Sequence, residues 1–193
     1  MAPFPPMANA GDGSGPGLRS IPEEKENTME RGFSLSQILL HWIVALLVLA
    51  QYLNEEAIGA AWRALRRGAE VPAGTLATAH VVVGCAILAL VAWRIGLRLT
   101  RGAPPPPDDE PLILRAVAMA THVLLYGLLL TLPLSGLAAW FGGIGGAIDV
   151  HRLSETLLLP LVGLHLCGAL YQRLVLDSDA LKRMTRPGLA QER

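Results

Sequence analysis

The apolar positions of this chain gather into four long runs, from about Leu35 to Leu53, Leu76 to Trp93, Leu112 to Trp140 and Leu153 to Leu176. Each reaches, or falls within tilt and snorkelling of, the roughly 20 residues that carry a helix across a hydrocarbon layer about 30 Å thick. Period-two alternation is absent, so the runs do not read as strands. A soluble bundle would leave a polar stripe on every helix, and stretches such as HWIVALLVLAQYL and AILALVAW show none. Lipid offers the backbone no hydrogen-bond partners, which leaves helix as the form of each run. The pattern predicts an all-α fold: an integral membrane four-helix bundle, up-and-down.

The segments between the runs are short and polar. Residues 1–30 are broken by Pro and Gly and then turn acidic, and read as a disordered cytoplasmic tail preceding a membrane domain over 31–186. Residues 54–75 include AAWRALRRG, a small amphipathic piece suited to the interface. RGAPPPPDDEP, residues 101–111, is a stiff proline loop. Residues 141–149, FGGIGGAID, read as a flexible glycine turn, and residues 187–193 as a short C-terminal tail.

Composition agrees with a lipid solvent. Of 193 residues, 52% are hydrophobic and 17% charged, against about 45–50% and about 25% in soluble domains. Sixteen Lys and Arg balance sixteen Asp and Glu, so there is no basic footprint for nucleic acid. The basic residues are unevenly placed. With the N-terminus inside, twelve lie on the inner side and four (Arg63, Arg66, Arg67 and Arg152) on the outer side, which predicts both termini in the cytoplasm. Trp42, Trp93 and Trp140 fall near span ends and read as interface anchors. Cys85 and Cys167 sit in apolar runs outside any CxxC or CxxCH pattern and read as buried small hydrophobes.

The candidate chemistry lies in five histidines, His41, His80, His122, His151 and His165, all within or at the edge of a span. Ionisable groups in a bilayer are costly and mark function. Depth pairs them. His41 lies a turn or two from the cytoplasmic face and His80 near the outer face, while His151 is at the outer edge of its helix and His165 deeper. The 14 residues from His151 to His165 are about 21 Å of rise and close to four full turns, so both rings share one helix face. His80 then matches His151 in depth, and His41 matches His165. Zinc asks for three or four ligands at one depth. Two opposed imidazoles instead suit the axial positions of a haem, whose ring supplies the other four donors. Gly84, Gly163 and Gly168 fit either close approach of a flat macrocycle or plain helix packing. His122 stays open between a competing ligand at the inner site and a hydrogen bond to a propionate, a quinone or the backbone. Pro133 and Pro160 interrupt the third and fourth spans.

The chain resembles the prokaryotic cytochrome b561 family of four-span dihaem b-type cytochromes. The resemblance covers about residues 31–186. Ser34-Leu35-Ser36-Gln37 and Leu40-His41-Trp42 open the first span, and His80-x-x-x-Gly84 the second. Arg94-x-x-x-Arg98 precedes the proline loop. His122-x-x-Leu125-Tyr126 and Leu132-Pro133-Leu134-Ser135-Gly136 lie in the third span, and His151 leads the fourth with His165 fourteen on. The resemblance implies two non-covalent bis-His haem b groups, held by His41 with His165 and by His80 with His151, in a bacterial inner membrane. Arg94 and Arg98 are candidate partners of the inner propionates, or positive-inside anchors. It further implies electron transfer between the quinone pool and a periplasmic or membrane redox partner. Some such proteins oxidise superoxide and reduce ubiquinone, and others serve as the haem-carrying anchor of a hydrogenase or dehydrogenase. Two positions depart from the family pattern: Val81 stands where many members have a basic residue, and Arg152 where many have an acidic one.

Overall fold

The computed structural model describes residues 32–70, 75–104 and 110–187, with backbone alone at 55–57. The expected tail over 1–30 and most of the proline loop lie outside the described residues. Within them the chain is helical: α1 Leu35–Tyr52, α2 Glu55–Leu65, α3 Leu76–Arg101, α4 Leu112–Trp140, α5 Gly145–Leu174 and α6 Ala180–Arg183. α1, α3, α4 and α5 are each long and apolar enough to cross a membrane, as the four runs require.

Local chemistry sets the ends. A capping box opens α1: the Gln37 N–H donates to Ser34 Oγ at 3.4 Å, and the Ser34 N–H donates to Gln37 Oε1 at 3.0 Å. Thr75 Oγ1 caps α3 in the same sense. Gly102, at φ +73°, ends it in the left-handed region that glycine reaches without strain. α3 thus runs to Arg101, beyond the Trp93 at which its apolar run stops. Hydropathy marks where the apolar run ends, whereas a helix can carry the exposed Arg98 and Arg101 on into the headgroup layer.

The glycine turn is tighter than FGGIGGAID implies. α5 begins at Gly145, not near Leu153, because the reversal is made in Gly142 and Gly143 alone. Gly143 has φ +64°, and a Cβ on Gly142 would lie 2.6 Å from the Ala138 carbonyl oxygen. Both prolines are carried inside continuous helices. Near Pro133, the Ser135 hydroxyl donates back to the carbonyls of Thr131 and Leu132, which satisfies the hydroxyl within its own helix.

Packing follows a chain of neighbours. α1 lies along α3, α3 along α4 and α4 along α5, while α2 crosses onto α3. Neither α1 nor α3 packs along α5. At mid-height Val44, Ile87 and Val91, the last 0% exposed, form a small core joined by Tyr126, Leu129 and Leu130. Large apolar residues such as Leu46, Leu112 and Leu159 cover the outer faces, as a lipid environment requires. Cys85 and Cys167 are exposed rather than buried. Cys85 lines the far cavity, so the burial expected by analogy with soluble cores does not hold. The Trp42 indole N–H donates to the Met184 carbonyl at 2.9 Å, fastening the segment around α6 to α1.

Replacing Ser34 with Ala removes the acceptor of the capping box. The expected loss is about 1 kcal/mol, to be read as a lowered unfolding midpoint of the detergent-solubilised protein.

Candidate functional site

The histidines meet at two levels. The near level lies toward the end of the bundle that holds Ser34 and Met184. There His41 of α1 and His165 of α5 have ring centroids 6.1 Å apart at 64°. At the far level, His80 of α3 and His151 of α5 also stand 6.1 Å apart at 64°. Both depth pairings read from the sequence are therefore present as facing rings. Each pair joins helices that do not otherwise pack along one another.

The rings differ in their further contacts. At the near level the Arg94 guanidinium Nη1 donates to His41 Nδ1 at 2.7 Å. Its Nε donates to the Tyr126 hydroxyl at 3.0 Å, and the guanidinium lies 5.6 Å from the centre of the Tyr126 ring. Guanidinium cannot accept, so the lone pair of this contact belongs to His41 Nδ1. Arg98, one turn on, is exposed and does not join the cluster. His122 comes closer to His165 than His41 does, at 5.0 Å. Its Nδ1–H donates to the Ala118 carbonyl one turn back at 2.6 Å. Of the roles open to His122, the backbone hydrogen bond is the one this structure displays.

At the far level the His151 Nδ1–H donates to the Leu132 carbonyl at 2.8 Å. A carbonyl only accepts, so the proton sits on Nδ1 and Nε2 keeps its lone pair for a ligand bond. Gly136 makes this possible: a Cβ there would lie 3.1 Å from His151 Cε1 and 3.2 Å from Nδ1. His80 Nδ1 is buried with no hydrogen-bond partner among the described residues. The Gln51 amide donates to the His80 carbonyl at 2.9 Å, and the Tyr52 hydroxyl to the Glu155 carbonyl at 2.7 Å, tying the end of α1 to α3 and α5.

A cavity of about 140 Å³ opens between His80 and His151, lined almost wholly by apolar side chains, with Gln51, Tyr52 and Glu155 among its polar residues. Ile58 and Trp62 of α2 are part of its lining. Trp62 stacks on Trp140 with centroids 6.2 Å apart and planes tilted by 32°. Trp140 therefore serves the cavity and is more than an interface anchor. Trp93, 58% exposed, keeps the anchor's position.

These residues would hold a haem, since imidazole nitrogens are suitable donors to iron. The two pairs share one spacing and one angle, which the closer His122–His165 pair does not. Among the described residues no three His, Cys, Asp or Glu side chains converge as a bare metal ion would require. The far cavity is concave and apolar with a few polar groups, the character of cofactor pockets. Between the levels, Leu158 lies seven residues from each α5 ligand and is only 2% exposed. It shares their helix face and keeps an apolar layer between them.

Gly136, Tyr126, Gln51 and Trp62 escape a reading of histidine spacing alone. Gly136 and Tyr126 stand in the family-like pieces of the third span, and Trp62 in the amphipathic piece, but none carries a signal that names its neighbour. Gly163 and Gly168 have nothing within 4 Å of an added Cβ, so packing against protein does not explain them.

The comparisons with known proteins agree with the geometry. The family model for prokaryotic cytochrome b561 matches residues 32–187. A cytochrome b562 of Cereibacter sphaeroides is 39% identical, over 83% of this chain and 99% of its own length. A probable superoxide oxidase CybB of Yersinia pestis is 29% identical, over 81% of this chain and 97% of its own. With its four apolar helices and paired histidines inside the matched region, this chain belongs to the prokaryotic cytochrome b561 family, membrane cytochromes that carry haem b and transfer electrons.

Proposed function

We propose that the chain holds two haem b groups without covalent attachment, the near one between His41 and His165 and the far one between His80 and His151, and that it conducts electrons across a bacterial plasma membrane. The observation that carries this reading is the repeated 6.1 Å spacing of rings on helices that are otherwise kept apart. Haem held by these histidines would supply one-electron transfer. The protein's part is to fix the rings, exclude water and separate the two sites by one apolar layer. Leu132 fixes the His151 tautomer, Gly136 leaves room for its ring, and Leu158 with Val44, Ile87 and Val91 fills the interval.

The excess of basic residues toward the end bearing the termini supports a cytoplasmic near level and an outer far level. Electrons then pass between the quinone pool and a redox partner at the outer face. The name of the Yersinia relative supports superoxide as a candidate electron donor there. Purified protein reconstituted in vesicles tests this: reduction by quinol, or quinone reduction coupled to superoxide consumption, is expected without an added subunit.

Haem quantitation of variants tests the ligand scheme. His41→Ala and His165→Ala are each expected to lose the same one of two haems, and His80→Ala and His151→Ala the other. His122→Ala is expected to keep both. Loss of a haem from His122→Ala with retention in His41→Ala would reverse the near pairing.

Gly136→Ala is expected to lower far haem occupancy selectively. The added methyl meets a ring that its Leu132 hydrogen bond keeps from swinging aside. The reduced-minus-oxidised spectrum should fall toward half its wild-type amplitude, with the near haem retained.

A further inference from the structure

The two histidine levels are not electrostatically alike. His41 stands against a guanidinium, Arg94, tethered by the Tyr126 hydroxyl and lying over its ring. Arg94 is half-buried and lies within the span of α3, where water screens little and a charge acts strongly on its neighbours. At the far level the contacts have the opposite sense. His151 gives its Nδ1–H to a backbone carbonyl, which makes the ring a more basic ligand. The acidic residue lining that cavity is Glu155, four residues on from His151. Arg152, beside His151 in sequence, is exposed.

We infer that Arg94, held in place by Tyr126, polarises the pair of redox sites so that an electron rests at the near level in preference to the far one. This rests on the two-haem reading above. An iron site is one positive charge richer when oxidised. A fixed cation beside His41 penalises that state, whereas a basic ligand and an acidic neighbour at the far level stabilise it. An iron-bound His41 would carry its proton on Nδ1, so Arg94 would turn off that nitrogen and stay beside the ring on its Tyr126 contacts, its charge acting through space. One electron leaves the far site, which is oxidised by one unit, and the near site is reduced by one unit. The arrangement gives the transmembrane path a downhill sense, from the α2 end toward the end bearing the termini. Arg94 is thus a positioning residue with an electrostatic task, and Tyr126 is the post that keeps it there.

A potentiometric titration of the purified dihaem protein, followed optically, provides the test. His80→Ala retains the near haem alone and His165→Ala the far haem alone, so each potential can be assigned. In the wild type the near haem is expected to have the higher potential. Arg94→Gln is expected to lower the near potential only, reducing the equilibrium constant for far-to-near transfer about tenfold, or about 59 mV for one electron. Arg94→Lys, which keeps the charge, should recover most of that shift. Tyr126→Phe removes the tether while leaving the cation, and should move the near potential the same way by a smaller amount. If Arg94→Gln does not retain its near haem, Tyr126→Phe decides. A near haem of lower potential than the far one overturns the inference, as does a variant shift that is absent or equal at both sites. A wild-type preparation with fewer than two haems overturns the two-haem reading instead.

Discussion

The structure turns on a separation that helix packing does not close. α5 carries one ring of each pair, yet its backbone packs along α4 and not along α1 or α3, which it meets through side chains such as Tyr52. In water such a gap would collapse, because apolar faces are driven together. In lipid no such drive exists, and helices associate through close packing and polar contacts. On the proposed reading, a flat, rigid group in each gap would supply the missing van der Waals surface. Cofactor binding and bundle assembly would then be the same event: a ligand that binds only the folded form stabilises it in proportion to the logarithm of its excess.

Backbone and side-chain hydrogen bonds do the rest of the positioning, and in an apolar medium they are selective. Polar groups within the spans are given partners close at hand: Ser135 and Thr121 return to their own helix, Gln51 and Tyr52 reach across to carbonyls on α3 and α5, and His122 bonds one turn back. These contacts lock ring orientations without adding charge. Arg94 is the exception, which is why its cation dominates the near level.

Much of this was legible in the sequence because the rules involved are periodic. Span length gave four helices, and the 14-residue interval in α5 gave two rings on one face at two depths. What escaped depends on contact across helices. The closeness of Gly136 to His151 follows from how α4 lies on α5, which no spacing along either helix encodes. Arg94 read equally as an anchor or a propionate partner, since a chain of basic residues at a span end says nothing about which one turns inward. The start of α5 was misplaced by glycines that, in a sequence, look the same whether they open a loop or occupy a first turn.

Both histidine levels hang from one uninterrupted helix, and that makes the chain intolerant of a particular kind of change. Inserting or deleting a single residue between His151 and His165 would swing one ring about 100° around the helix axis relative to the other and slide it by about 1.5 Å. One level would then aim at lipid while its partner on α1 or α3 stayed in place. Point substitutions in that stretch are constrained by size and polarity alone, but its length is fixed, and Pro160 is accommodated there without altering the count. Variation in chain length among such proteins is therefore expected in the connecting segments and the tails, where an added residue turns nothing.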